Sequence, residues 1–470
     1  METATPGRGG LFGPAGFYKK ALLIALPVMA QLLIQNMVSL IDNFMVSGLG
    51  DVKMSGVNIS GQILFVFMVL LNTICTAGGI FMSQYYGAGD KRGMRQALSF
   101  KAVLAAVSIV LYLLVCMAFP RPVLSLMVVG NSQADAILDE AVKYMFLMGF
   151  IGIPMAISTI CSSSLREIGQ VRTPLLISVI ATLVNTFFNW VLIYGNFGAP
   201  RLEVQGAAAA TIIARLTEMT MFLICIAVRR PPFAATPKEL VSVDFPLFFR
   251  MLKKGSMVLG SEMLWVISET VTTALYNGRG GADVVSGMAA SFAIANLFFV
   301  AFSGITTATG VILGSTLGSG KLDRARQEKR WLMTAGVVFG IFMIFVGLLT
   351  VPLIPVVFGH LSESAQSITR QMIVLMSLFM PPWVYINVQL AVSRAGGDTA
   401  MGLWVDGTTT LLIIFPGIFL IARYTAIGPV AMYGAVKAVD FVKITIAHFM
   451  RERWVRNLTD TAFQPEKTTE

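Results

Sequence analysis

Charge is scarce in this sequence. Only 13% of its 470 residues are Asp, Glu, Lys or Arg, where a soluble protein carries about 25%. That shortage excludes an ordinary soluble domain. Histidine is nearly missing: the two present, His360 and His448, form no H-E-x-x-H motif and no other complete catalytic set, so no enzyme is expected. The four cysteines, Cys75, Cys116, Cys161 and Cys225, all lie in or beside apolar runs. They suggest neither a disulfide framework nor a metal site. A cleavable signal is not evident either, because the first apolar run is too long and many more follow.

What remains is apolar: 56% of residues are hydrophobic and the mean hydropathy is +0.75. Runs of about 20 residues, the length of a membrane-crossing helix, recur along the chain. They read as an all-α polytopic membrane protein with spans near 18–47, 54–85, 94–118, 136–162, 174–194, 206–228, 248–276, 285–316, 331–351, 366–391, 400–421 and 428–450. Several are longer than a bilayer needs and are expected to tilt or to project into water. Gly, Pro and charges mark the joints, as in "GAGDKRGMR", "REIGQVRTP", "RRPPFAATPKEL" and "GSGKLDRARQEKR". The Gly-rich loops join two helices and lack the strand and lysine of a phosphate cradle, so they read as tight turns.

Lys and Arg concentrate in alternate joints. One side holds Lys19, Lys91, Arg172, Arg229, Lys254, Arg330 and Arg451 among many others; the opposite side holds only Lys53, Arg121, Arg201, Arg279 and Arg423. This asymmetry places both termini in the cytoplasm and predicts a multi-pass protein of the plasma (inner) membrane. It also accounts for the net charge of +10 without nucleic acid. The expected organisation is a cytoplasmic tail (1–17), a first lobe of six spans (18–228), a cytoplasmic linker (229–247), a second lobe of six spans (248–450) and a cytoplasmic tail (451–470).

The halves repeat. "YYGAGDKRGMRQA" from Tyr85 matches "TLGSGKLDRARQE" from Thr316, pairing Gly87 with Gly318, Gly89 with Gly320 and Arg95 with Arg326. The same offset of 231 pairs Ser55-Gly56 with Ser286-Gly287 and Gln31 with Glu262, and a similar one pairs Arg166 and Gly169 with Arg394 and Gly397. With six spans each, both halves enter the membrane in the same direction. Their pseudo-symmetry axis then runs along the membrane normal, as in secondary transporters.

Against this background a few polar groups stand out. Asp42 lies six residues inside Gly48, roughly 9 Å along the first helix. Asn189 and Asn185 lie six and ten residues inside Gly195, roughly 9 and 15 Å, on one face of the fifth helix. Thr211 is five residues inside Gly206, roughly 8 Å. Four oxygen-bearing side chains thus share a level. Intramembrane acids are rare and usually mark ion or substrate paths, so these four are the candidates for proton or cation coupling. Asp42, Asn185 and Asn189 are also the candidate ligands of a Na⁺ ion.

The second half carries deeper acids. Glu262 is fourteen residues below Tyr276 and Asp406 fifteen below Ile421, both roughly 20–23 Å in. Asp440 lies twelve below Gly428, roughly 18 Å, flanked at three-residue spacing by Lys437 and Lys443. Glu269 shares the face of Glu262 two turns further out. Glu262, Glu269, Asp406 and Asp440, with Gln31 and Gln35 of the first helix, are the candidates for a polar or substrate pocket, which Glu262 and Asp406 are expected to share. Glu218 and Arg215, three apart, read as a simple ion pair. The 27 Met and 32 Phe suit either helix packing or a pliable cavity.

Taken in order, these segments resemble the multidrug and toxic compound extrusion (MATE) transporters. The resembling motifs are "LIDNFMVSGLG" at 40–50, "QYYGAGD" at 84–90, "LREIGQVRTP" at 165–174, "NTFFNWVLIYGNFGAP" at 185–200 and "VQGAAAATIIAR" at 204–215 in the first half. In the second they are "SEMLW" at 261–265, "NLFFVAFSG" at 296–304, "SRAGGDT" at 393–399 and "RERWVRNLT" at 451–459. The resemblance implies twelve transmembrane helices in two pseudo-symmetric six-helix lobes. It implies export of organic cations or other amphipathic compounds in exchange for inward H⁺ or Na⁺, with no further cofactor. The family's first-helix acid is matched by Asp42, its polar residues of helices 5 and 6 by Asn185, Asn189 and Thr211, and its helix 7 acid by Glu262. Where one branch has an aspartate this chain has Asn189, and where some members have an acid in helix 10 it offers only Asn387. The expected partners are a small cationic or amphipathic substrate and membrane lipid, around a monomer. The rival readings are a flippase for lipid-linked precursors, which should show a basic cavity, and a passive channel, which could not move solute against a gradient.

Overall fold

The computed structural model describes residues 10–47, 51–125, 127, 134–359 and 361–450. The motif at 451–459, the C-terminal tail, the first nine residues and His360 lie outside the described residues. Among those described there is no strand. Twelve helical spans follow one another: α1 (Ala15–Ser47), α2 (Asp51–Ala88), α3 (Lys91–Leu113), α4 (Ala134–Gly149 and Gly152–Glu167), α5 (Arg172–Tyr194) and α6 (Glu203–Arg229). After a linker come α7 (Phe245–Asn277), α8 (Ala282–Gly318), α9 (Leu322–Thr350), α10 (Glu363–Leu378 and Met380–Ala395), α11 (Ala400–Thr409, continuing through Phe415–Tyr424) and α12 (Pro429–Phe449).

Eight of these helices are long and apolar enough to cross a membrane alone, and two bent pairs bring the number to ten. The remaining two are α7 and α12. They are the helices that carry Glu262, Glu269, Lys437, Asp440 and Lys443, charges that must be matched inside the protein to be tolerated at that depth.

The fourth and tenth spans, near 136–162 and 366–391, are each a bent pair of helices. α4 bends by 52° and α10 by 50°. Proline supplies the cause in both, since it lacks the N–H that an unbroken helix would use. In α4, Phe150 and Ile151 donate to Leu147 and Met148 in tightened turns, three residues before Pro154. In α10, Pro381 and Pro382 stand at the start of the second segment.

The bends fall at the same place in each six-helix half, and finer contacts repeat with them. Ser60 of α2 donates to the Gly56 carbonyl at 3.0 Å, and Ser291 of α8 donates to the Gly287 carbonyl at 2.7 Å. A Cβ on Gly56 would meet the Ala141 backbone of α4 at 3.0 Å, and one on Gly287 the Ala365 backbone of α10 at 2.7 Å. Small residues here let helix backbones approach, the usual basis of helix association in lipid. The Gly-rich loops are tight turns, with φ of +75° at Gly89 and +74° at Gly320, values that favour glycine.

The described residues form two compact units. One comprises Ala30–Tyr86 and Asp90–Leu252; the other comprises the chain from Lys253 together with the stretch up to Met29 and Gly87–Gly89. The core of the first gathers Phe67, Leu71, Tyr112, Met145, Met148 and Met155, with Phe67 stacked on Tyr112 at 4.3 Å. The core of the second gathers Tyr276, Met288, Met372, Met376, Met432 and Tyr433. Many of the abundant methionines therefore serve as packing. Between α6 and α7 the short helix Pro237–Val241 opens with a capping box of Thr236 and Glu239. The Thr236 backbone N–H holds the Glu239 carboxyl below its usual range, and Arg95 of α3 pairs with it.

Candidate ion-coupling site

The first unit builds its polar site on the contact between α5 and α6. The run Gly206–Ala210 on α6 presents almost no side chain, and Ala207, Ala208 and Ala210 are buried. A Cβ on Gly206 would lie 2.5 Å from the Leu192 carbonyl oxygen of α5. This close approach is what brings Thr211 within reach of α5. Gly206→Ala is therefore expected to wedge the helices apart, with a stability loss of about 1–3 kcal/mol. Thermal melting of the purified protein checks it against Gly61→Ala, where the added methyl has nothing within 4 Å and should be tolerated.

Four side chains predicted from the sequence form one hydrogen-bonded row. Asn189 Nδ2 donates to Asp42 Oδ1 and, at 3.2 Å, to Asn185 Oδ1. Asn185 Nδ2 reaches Thr211 Oγ1 at 3.4 Å, and Thr211 donates back to the Ala207 carbonyl at 3.0 Å. Asn185 and Asn189 are buried. Both amide hydrogens of Asn189 are thus committed, and its Oδ1 is left buried without a partner. Burying an amide oxygen unpaired is costly unless something fills the place. The oxygens on offer, from a carboxylate, an amide and a hydroxyl, are the ligands preferred by a hard cation.

Two further residues border this row, of which the sequence reading names only Arg215, and only as the partner of Glu218. Tyr144, a buried residue of α4, and Arg215 of α6 lie within electrostatic reach of Asp42. Arg215 also holds Glu218 at 2.7 Å, the pair its spacing suggested.

Deeper in the same unit, Gln31 donates to Ser178 at 2.9 Å and to Ser162 at 3.5 Å, and its own Oε1 is buried without a partner. Gln35 lies one turn on, half-buried. Lys101 is the second surprise, a lysine inside α3 that is wholly buried and ion-paired with Glu167, its Nζ 3.3 Å from both Ser163 and Ser164.

In the second unit the acids are met by cations. Glu262 takes Arg394 at 2.9 Å, whereas Asp406 takes Lys443 at 3.1 Å and accepts from Ser261 at 2.6 Å. Of the pocket expected for Glu262 and Asp406, each acid has a cation of its own. Glu269 is 3.4 Å from Lys437, and Asp440 is buried. Asn387 of α10 donates to the Trp383 carbonyl at 2.9 Å. The repeat is informative here: Glu262 and Arg394 form an ion pair, while the matching Gln31 is neutral and rests on hydroxyls. All four cysteines are free.

Comparison with known proteins converges on one family. The chain is similar to the probable multidrug resistance protein NorM of Thermotoga maritima, with 24% identity over 69% of this chain and 70% of that protein. It is 22% identical to the uncharacterized transporter YisQ of Bacillus subtilis over 88% of this chain and 89% of that one. The fold matches a mutant of the Vibrio cholerae MATE transporter VcmN with a TM-score of 0.83, at 17% identity over 94% of this chain and 98% of that one. It also matches a MOP superfamily transporter from Pyrococcus furiosus with a TM-score of 0.79, at 18% identity over 97% and 100%. The MatE family model covers residues 27–191 and 258–420, one block in each half of the repeat. The chain belongs to the MATE family, and is a multi-pass membrane transporter of small molecules rather than an enzyme.

Proposed function

We propose that this protein exports organic cations or amphipathic drugs in exchange for H⁺ or Na⁺ moving inward, by alternating access, with Asp42 as the coupling residue. The observation that carries the reading is the row Asp42–Asn189–Asn185–Thr211 with its unpartnered Asn189 oxygen. A carboxylate there can hold a proton, or can share a sodium ion with the amide oxygen. Its charge then depends on which ion is present, and so does its attraction for a cationic substrate. The names of the multidrug resistance relatives support the substrate class. We infer that it sits in the plasma (inner) membrane as a monomer, and the Lys and Arg asymmetry supports placing both termini in the cytoplasm. Neither the flippase nor the channel reading gains a specific observation, since the polar row of the first unit centres on an acid.

The test is reconstitution in proteoliposomes. A cationic dye should move against its own gradient when an opposing H⁺ or Na⁺ gradient is imposed, and an ionophore for that ion should abolish the movement. Dye flux that only ever runs downhill, whichever ion gradient is applied, would replace the exchanger with a channel.

A further inference from the structure

The charges of α12 do not balance, and the imbalance has an address. Lys437, Asp440 and Lys443 follow one another at three-residue intervals, so Asp440 has a lysine one turn away on either side. Both lysines are engaged elsewhere. Lys437 is held by Glu269 at 3.4 Å, with the rings of Trp383 and Tyr433 at 5.2 and 5.3 Å from its ammonium. Lys443 is held by Asp406 at 3.1 Å. Asp440 is only 7% exposed, and its Oδ2 is buried with no hydrogen-bond partner.

The charged groups that act on Asp440 are those two lysines, Glu269 of α7 and Asp406 of α11. The other helices against α12 do not supply a missing cation. On α10, Arg394 is paired with Glu262 and Arg370 is exposed; on α11, Arg423 sits at the far end, in its last turn. Tyr276 and Tyr433 add phenols but no charge at neutral pH. Three carboxylates therefore face two ammoniums, and the carboxylate left over is the one whose Oδ2 has no hydrogen-bond partner. Unpaired ionised acids at membrane depth are not tolerated; they bind a counter-ion or become neutral.

We propose that Asp440 is a second proton-binding site, carrying a proton on its carboxyl while Lys437 and Lys443 are held by Glu269 and Asp406. A proton fits better than a metal ion, because Lys437 and Lys443, which both act on Asp440, would repel a further cation beside it. The chemistry is a simple acid dissociation: Asp440 releases H⁺ to water and becomes a carboxylate. The nearest compensation is then for Lys437 or Lys443 to turn to it and free Glu269 or Asp406. One proton at Asp440 thereby selects which acids of α7 and α11 are tied to α12. The proposal does not rest on Asp42, which belongs to the other unit.

Infrared spectroscopy of the full chain in lipid nanodiscs tests it, because a protonated carboxyl has its own C=O band, which shifts in D₂O. Measuring in an Asp42→Asn background removes that residue's contribution. The expected result is a protonated-carboxyl band at neutral pH that is absent in Asp440→Asn and disappears reversibly on alkaline titration. Glu269→Gln is the decisive second variant. It keeps Asp440 but frees Lys437, so the band should be lost there too, even if Asp440→Asn fails to fold. Exchanging choline chloride for sodium chloride should leave the band unchanged; its loss on adding sodium would identify an alkali cation as the ligand and overturn the proposal. A band that survives in Glu269→Gln, or a folded wild-type protein in which the variants remove none, would also overturn it.

Discussion

Asp42→Asn should insert, purify and melt like the wild-type protein, yet lose gradient-driven export by more than about tenfold per folded molecule. The substitution keeps the size and the hydrogen-bonding reach of the side chain. Asn189 can still donate to the new amide oxygen, so the row through Asn185 to Thr211 should stay formed. What disappears is the charge. An amide cannot be neutralised by a proton, nor can it lend a negative charge to a sodium site, so the residue no longer distinguishes the two ionic conditions. A ligand can shift a conformational equilibrium only by its differential affinity for the two states, and without that difference the gradient cannot drive the cycle. Asp42→Glu should retain part of the activity, because the charge survives but the longer stem displaces it from Asn189. If Asp42 served only to hold α1 against α5, the pattern would invert: poor yield and a lowered melting temperature, with normal coupled transport by the molecules that fold. Transport per folded molecule, measured alongside thermal melting, separates the two outcomes.

How much of this was legible in the sequence differs from place to place. The twelve spans and their repeat were readable because lipid imposes length and hydropathy, and because a repeat advertises itself as pairs such as Gly89 and Gly320. The row around Asp42 was readable from depth alone: helical rise put four oxygens at one level, and the alanine-rich face of α6 made their contact feasible. The bends of α4 and α10 were signalled by Pro154, Pro381 and Pro382 but hidden by apolar runs that continue straight through them. Pairing choices were the least legible. On α12, Lys437 and Lys443 flank Asp440 at three-residue spacing, yet they reach across to Glu269 and Asp406. Periodicity shows which residues share a face of one helix, and says nothing about which neighbour that face meets.

Lys101 makes the same point with the largest expected effect on stability. It sits inside α3 with 0% of its side chain exposed, and Glu167 of α4 beside it is 14% exposed. The geometry is prepared for the pair. Gly78 of α2 leaves room for the lysine stem, whose Cγ would lie 2.7 Å from an added Cβ, and Gly79 leaves room for the Glu167 carboxylate, which an added Cβ would overlap. Ser163 and Ser164 supply the remaining hydrogen-bonding atoms. Lys101→Met keeps most of the length and all of the stem packing but strands Glu167, so it should destabilise the protein by about 3–5 kcal/mol, the usual cost of breaking a buried ion pair from one side. Glu167→Gln alone should be costly for the converse reason, leaving the ammonium without its counter-charge. The double variant Lys101→Met/Glu167→Gln removes both charges and should recover most of the loss, because two neutral groups of similar shape need no compensation. Melting curves of the four proteins in one detergent give the coupling directly. Additive losses in the double variant would show that the two residues stabilise the fold separately, and that the pair is a consequence of packing rather than its cause.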